Sequence, residues 1–180
     1  MLLLVVTAVA VYALDQVTKA LAVAHLDPAR PVEVLGPLLR LQLVYNPGAA
    51  FGIATSMTWV FTVIATVVVV AVVRYARRLS SLGWGVALGL VLAGAAGNLT
   101  DRLAREPGFA RGHVVDFLEL PHWPVFNVAD SAICTAAVLV AVLALRGIDV
   151  DGRRTGEGDG AGEGTGEGAA LTPPVGEPRA

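Results

Sequence analysis

Four long apolar segments, separated by shorter polar stretches, make up most of the chain. Each is long enough for a helix that crosses about 30 Å of hydrocarbon, which takes roughly 20 residues. We therefore predict an all-α membrane protein with four transmembrane helices, placed at Met1–Leu26, Phe51–Val73, Leu79–Thr100 and Asn127–Gly147. Small residues let helices approach closely, so a third helix packed tightly against its neighbours is predicted by Gly83, Gly85, Gly89, Gly94 and Gly97.

The first segment is expected to remain as a membrane helix and not to be removed as a secretory signal. It has no basic residue before its apolar stretch, and Asp15 and Lys19 lie where a signal peptide is apolar. These two charges are four residues apart with the acid first, which stacks them on one helix face. The plainest interpretation is an ion pair that neutralises both charges inside the bundle.

Two segments between the helices, residues 31–35 and 39–45, alternate apolar and polar residues as β-strands do. They predict a small extracytoplasmic β-platform. The end of the chain is different, with nine glycines between Gly152 and Gly176 interspersed with acids. Such a segment has almost nothing to bury, so we predict a transmembrane domain over residues 1–147 and a disordered cytoplasmic tail over residues 148–180.

Composition narrows the possible function. Hydrophobic residues make up 55% of the chain and charged residues 16%, and the mean hydropathy is +0.67, which is too apolar for a soluble enzyme. The net charge is −2 and no basic stripe is present, so a nucleic-acid partner is excluded. A single cysteine, Cys134, excludes a disulfide framework and a cysteine-based metal site, and we expect it to be a buried, unreactive side chain. No HExxH spacing accompanies the histidines, so metalloprotease chemistry is not expected.

The arginines indicate an orientation. Basic residues favour the cytoplasmic side of a membrane, and two groups share one side of a four-helix topology: Arg74, Arg77 and Arg78, and Arg146, Arg153 and Arg154. Both termini are therefore predicted to be cytoplasmic. The bias is modest, because the opposite side carries Arg102, Arg105 and Arg111.

Polar residues within membrane segments need an explanation, since they are expensive to bury. Asn98 shares a helix face with Asp101 and Arg102 by its spacing. Arg102, near a helix end, can be explained by the helix dipole and by snorkelling to the interface. Neither effect explains Asn98 or Asp101, so the three residues form a candidate site.

Asp116 and Asp130 are the strongest candidates for chemistry. Asp130 would be the third helical residue if Asn127 is the N-cap of the fourth helix, so a purely structural capping role is open for it. Asp116 lies between Val115 and Phe117, where an unpaired carboxylate is costly unless another group shares its proton. Two carboxylates that share one proton form the arrangement of aspartic proteases.

Five short blocks, taken together and in this order, resemble the bacterial lipoprotein signal peptidase (signal peptidase II) family over about residues 1–147: DQVTK at 15–19, NPGAAF at 46–51, GNLTDR at 97–102, VVDF at 114–117 and FNVAD at 126–130. The resemblance implies an intramembrane aspartic endopeptidase of the bacterial cytoplasmic membrane with its site near the outer face. It would cut diacylglyceryl-modified prolipoproteins on the amino side of the lipidated cysteine, with no cofactor and no metal, as a monomer surrounded by membrane lipid. The implied catalytic pair is Asp116 and Asp130. The implied substrate-binding residues are Asn46, Gly48, Asn98, Arg102 and Asn127, and the implied supporting residues are Asp15, Lys19 and Asp101.

Two other classes of protein remain possible from the residues alone. A small proton-coupled transporter could use the same carboxylates as a relay, but relay groups should be spread across the depth of the membrane. Asp101, Asp116 and Asp130 instead cluster at one boundary by our span assignment. A noncatalytic scaffold would explain the glycine-rich helix but neither of the last two aspartates.

Overall fold

The computed structural model describes residues 1–48 and 58–153. Its order of elements is α1 (Leu2–His25), β1 (Val32–Glu33), β2 (Arg40–Asn46), α2 (Thr58–Tyr75) with a short 3-10 turn (Ala76–Arg78), α3 (Leu82–Ala104), β3 (Val114–Glu119) and α4 (Val128–Leu145). All four helices are long and apolar enough to cross a membrane. The predicted fold class, four membrane helices with a small sheet, is confirmed. The predicted start of the second helix, Phe51, lies outside the described residues.

Helix α3 lies at the centre of the bundle and contacts the three other helices. Its glycines permit this, as predicted. A methyl group added to Gly94 would lie 2.5 Å from the carbonyl oxygen of Ala129 on α4, and one added to Gly89 would lie 2.8 Å from the carbonyl oxygen of Leu4 on α1. The helix continues past the predicted end at Thr100, because the charged residues that follow are buried with partners of opposite charge or with carbonyl groups.

The three strands form an antiparallel sheet in the order β1-β2-β3, with a register shift in β2 between Leu41 and Val44. The strands predicted near residues 31–35 and 39–45 are present. The third strand is an addition, since the sequence indicated only an apolar run there. Val115 and Phe117 pack with Ala22 near the end of α1, so the sheet covers this end of the bundle. Side chains alternate along a strand, and Asp116 therefore points to the other face.

The opposite end of the bundle is closed by the residues that follow α4. The backbone N–H groups of Ser80 and Ser81 donate to the carbonyl oxygen of Val150 at 3.1 and 3.2 Å, and the Trp84 indole donates to that of Ile148 at 2.7 Å. This segment lies beyond the predicted domain boundary at residue 147, which stays a prediction. The predicted disordered tail spans residues 148–180, and the part of it beyond residue 153 lies outside the described part of the chain.

Candidate active site

Strand β3 and the first turn of α4 carry the two candidate aspartates. Asn127 is the N-cap of α4, as predicted: its side-chain oxygen accepts from the Asp130 backbone N–H at 3.0 Å. Asp130 returns a hydrogen bond, accepting from the Asn127 backbone N–H at 3.3 Å. This capping box supplies the structural role that the sequence left open for Asp130. It also fixes the position of the carboxylate.

The same asparagine connects the two aspartates. While its oxygen caps the helix, the side-chain NH2 group of Asn127 donates to Asp116 Oδ1 at 2.7 Å. Asn127 is fully buried, so this bridge is sheltered from water. Asn127 thereby holds the Asp116 carboxylate of β3 close to the Asp130 carboxylate of α4.

Three asparagines have their amide groups oriented by partners that can only donate. Asn46 accepts from the Gly48 backbone N–H at 2.9 Å, and Asn98 accepts from the Lys19 ammonium at 2.9 Å, while Asn127 accepts from the Asp130 backbone N–H. A carbonyl oxygen must face each donor, which leaves each NH2 group to point the other way. All three NH2 groups donate to the aspartates: Asn46 to Asp116 Oδ2 at 2.9 Å, Asn98 to Asp130 Oδ1 at 2.8 Å and Asn127 to Asp116 Oδ1.

Asp116 is almost completely buried, with 2% of its surface exposed. Burial raises the pKa of Asp116 to about 7, and the nearby negative charge of Asp130 acts in the same direction. The hydrogen bonds from Asn46 and Asn127 oppose this shift of the pKa but do not cancel it. Asp116 is therefore suited to carry a proton near neutral pH.

Arg102 is buried beside the same cluster. Its Nη2 donates to the carbonyl oxygen of Gly48 at 2.9 Å, and its guanidinium carbon lies 5.3 Å from the centre of the Phe61 ring. Within the described residues, its Nη1 is buried and has no hydrogen-bond partner. The snorkelling interpretation is therefore wrong, because this side chain turns inward toward the carbonyl oxygen of Gly48.

A cavity of about 340 Å³ opens onto these groups. Its polar lining comes from six predicted site residues: Asn46, Gly48, Asn98, Arg102, Asp116 and Asp130. Its apolar lining, which sequence reasoning did not identify, comes from Phe61, Val114, Trp123, Pro124, Val125, Phe126, Ile133 and Cys134. The one available signal was the aromatic and apolar run just before the FNVAD block, since side chains there must lie near Asp130.

Cys134 contradicts our expectation. It is exposed, not buried, and lines the cavity. The physical reason is its helical position: it lies one turn after Asp130, so both side chains share the face of α4 that borders the cavity.

The predicted supporting residues form a second layer behind Asn98. The Lys19 ammonium lies 3.0 Å from Asp15 and 2.8 Å from Asp101, and both pairs are essentially inaccessible to solvent. Asp15 also accepts from the backbone N–H of Ala129, in the first turn of α4, at 2.9 Å. The predicted pair of Asp15 and Lys19 is present, but it is part of a larger charged cluster that also includes Asp101 and Arg105 and connects α1, α3 and α4. Within residues 1–48 and 58–153, no group of three His, Cys, Asp or Glu side chains is arranged to hold a metal ion.

Several known proteins are similar to this chain in sequence and in fold. The family described as "Signal peptidase (SPase) II" matches residues 7–146. A lipoprotein signal peptidase of Rhodococcus jostii (strain RHA1) is 55% identical over 155 residues, which cover 86% of this chain and 78% of that protein. The corresponding protein of Mycobacterium avium (strain 104) is 53% identical, over 84% of this chain and 85% of its own. A solved structure described as a bacterial membrane enzyme superposes with a TM-score of 0.70 at 30% identity, covering 79% of this chain and 92% of that one.

Proposed function

The chain belongs to the signal peptidase II family, and we propose that it removes the signal peptide from diacylglyceryl-modified prolipoproteins with Asp116 and Asp130 as its catalytic pair. Its relatives named lipoprotein signal peptidases support the overall reaction. The aspartic mechanism rests on one observation. Two carboxylates from different elements, bridged by Asn127 and each held by asparagine NH2 groups, face a single cavity.

In the first step, water attacks the carbonyl carbon of the scissile amide. Asp130 is ionised and takes a proton from the water, while protonated Asp116 donates to the carbonyl oxygen. The raised pKa of Asp116 favours this division of roles. The product of the step is a tetrahedral intermediate with two hydroxyl groups on the former carbonyl carbon.

In the second step, the bond from carbon to nitrogen breaks. The proton held by Asp130 passes to the leaving nitrogen, and Asp116 recovers a proton from one of the two hydroxyl groups. The products are a new carboxyl group on the signal peptide and a free amine on the lipidated cysteine. The pair ends with one shared proton, as it began, and requires no cofactor.

The cavity has polar lining suited to the peptide and apolar lining suited to the acyl chains of the proposed substrate. Arg102 Nη1, unpaired within the described residues, is available to a peptide carbonyl group. Ile133 is 38% exposed on the membrane helix α4 and also lines the cavity, so an apolar path leads from the site to lipid. Acyl chains on the cysteine would follow this path and remain in the membrane.

A direct comparison of substrates separates this function from a transporter or a scaffold. Purified protein in detergent would be given a prolipoprotein peptide with a diacylglyceryl-modified cysteine, or the same peptide with a free cysteine. We expect cleavage of the modified peptide and at least about 100-fold slower cleavage of the free one, since remote binding energy is used in the transition state. No cleavage of either peptide would contradict the proposed function.

The cleavage rate should depend on the protonation of Asp116. Its pKa is raised to about 7, so the proton is present below that pH and is lost above it. We expect kcat/KM to fall above about pH 7, approaching tenfold per pH unit, because the ionised group no longer donates to the carbonyl oxygen. The measurement is the initial rate from pH 5 to pH 9, with a thermal melt at each pH as a control for folding. A rate that rises through pH 8 would contradict the assignment of the catalytic proton to Asp116.

We further propose that both termini are cytoplasmic and that the site lies near the outer face. The two arginine groups flank elements that meet at one end of the bundle, where the Ser80 and Ser81 N–H groups bind Val150. The sheet and the aspartates lie at the other end. The positive-inside rule then places the arginine end in the cytoplasm.

Labelling with a membrane-impermeant thiol reagent tests this orientation. In a Cys134→Ala background, Gly160→Cys should be labelled only after the membrane is opened, and Glu33→Cys on β1 should be labelled in intact cells. Glu33 is the matched control because it is exposed on the sheet. Labelling of Gly160→Cys, but not of Glu33→Cys, in intact cells would reverse the orientation.

A further inference from the structure

We infer that Lys19 is a positioning residue of the active site, acting through Asn98 on Asp130. The inference rests on the proposed catalytic pair and adds a residue that touches neither aspartate of that pair. An ammonium group has three N–H donors, and Lys19 finds three acceptors: Asp15 at 3.0 Å, Asp101 at 2.8 Å and Asn98 at 2.9 Å.

Charge neutralisation accounts for two of these contacts only. Asp15 and Asp101 are buried acids, and Lys19 together with Arg105, which binds Asp101 on its other oxygen, balances their charge. The third contact goes to a neutral amide. The Lys19 ammonium therefore makes one contact, with Asn98, that charge neutralisation does not explain.

The contact with Asn98 fixes which end of the amide meets Asp130. If the amide were flipped, its NH2 group would face the ammonium and its oxygen would face the Asp130 carboxylate, so both contacts would be repulsive. As observed, the Asn98 oxygen accepts from Lys19 and its NH2 group donates to Asp130 Oδ1 at 2.8 Å. A second donor to the Asn98 oxygen, the Asn127 NH2 group, is more distant at 3.3 Å and also donates to Asp116.

Orientation of this donor matters for the chemistry. The Asp130 carboxylate must keep one lone pair directed at the attacking water in the first step and must then deliver the proton to the leaving nitrogen in the second. The NH2 group of Asn98 and the backbone N–H of Asn127 hold one oxygen each. Without Lys19, the Asn98 amide is free to turn, and the carboxylate loses one of its two fixed donors.

A double-mutant cycle distinguishes positioning from general structural support. The proteins are the wild type, Lys19→Met, Asn98→Ala and the double variant, each assayed for kcat and KM with the lipidated peptide and for thermal stability. We expect each single change to lower kcat at least about tenfold. Lys19→Met should leave KM within about twofold, because Lys19 is buried and does not line the cavity. In the Asn98→Ala background, Lys19→Met should then lower kcat by less than about twofold. If the fold losses in kcat of the two single variants multiply in the double variant, the inference is overturned.

Arg105→Gln is the matched control. It also removes a cation from Asp101, but Arg105 makes no described contact with Asn98. Its kcat should stay within about threefold of the wild type, whereas a loss as large as that of Lys19→Met would show that Lys19 merely neutralises the acids. If Lys19→Met does not fold, Lys19→Met with Asp101→Asn keeps the net charge of the cluster and serves in its place.

Asn98→Asp gives an independent test that leaves Lys19 unchanged. It keeps an acceptor for the ammonium but replaces the NH2 group that faces Asp130 with a second oxygen, which is a repulsive contact. We therefore expect kcat to fall at least tenfold and the melting temperature to fall as well. Wild-type turnover in this variant would overturn the inference. The proposed function would still stand in that case, because it depends on Asp116 and Asp130 and is tested by replacing them.

Discussion

Replacing either Asp116 or Asp130 with asparagine should lower cleavage of a lipidated peptide by roughly 1,000-fold or more. An amide of nearly the same shape keeps the packing but cannot take up or release the proton that the pair exchanges with water and the leaving amine. The two residues act as one unit, so the double variant should be scarcely slower than either single one. The measurement is kcat for each folded variant in detergent.

Glu119→Gln is the matched control for this experiment. Glu119 lies on the same strand as Asp116, is partly buried and pairs with Arg40. The same exchange of a carboxylate for an amide should change kcat less than about threefold, because this side chain lies outside the cavity lining. Near-normal turnover with asparagine at either position of the pair would remove the aspartic mechanism.

Gly94→Ala should destabilise the bundle and displace the start of α4. A methyl group there would lie 2.5 Å from the Ala129 carbonyl oxygen and 2.6 Å from Ile133 Cγ1. Both atoms belong to α4 close to Asp130, so the helix must move. We expect a loss of about 2–3 kcal/mol in stability, seen as a melting temperature lower by roughly 5–10 °C. The displaced carboxylate should lower kcat about 100-fold.

Gly83→Ala is the comparison for Gly94→Ala. It also lies on α3 and faces α4, but its methyl group would meet only the end of the Leu143 side chain, at 2.8 Å. That side chain can turn away, and alanine has a higher helix propensity than glycine. The melting temperature should change by less than about 3 °C. An equal loss in both variants would show that the close contact at Gly94 is not specific to the start of α4.

The features that the sequence predicted are those that depend on short-range spacing. Long apolar runs gave the four helices, a separation of three residues gave the capping box of Asn127 and Asp130, and a separation of four gave the pair of Asp15 and Lys19. In each case the partners lie on the same helix or at its start. Helical geometry then determines their contact without any knowledge of the rest of the fold.

The features that were missed depend on contacts between distant segments. Strand β3 pairs with β2 across about seventy positions, and its alternation is hidden because its inner and outer residues are both mostly buried. The inward direction of Arg102 depends on the carbonyl oxygen of Gly48, and the joining of Lys19 to Asp101 depends on how α1 packs against α3. No pattern within a short stretch of sequence predicts these contacts. The roles of the site residues in catalysis and binding therefore remain predictions that the geometry supports.

Mass spectrometry of the reaction products tests the central claim most directly. The purified chain would be incubated with a diacylglyceryl-modified prolipoprotein, alongside Asp116→Asn and Asp130→Asn proteins of equal thermal stability. We predict two products from the wild type, a free signal peptide and a protein whose first residue is the lipidated cysteine, and uncut substrate from both variants. Cleavage at another bond, or the same products from either variant, would contradict the account.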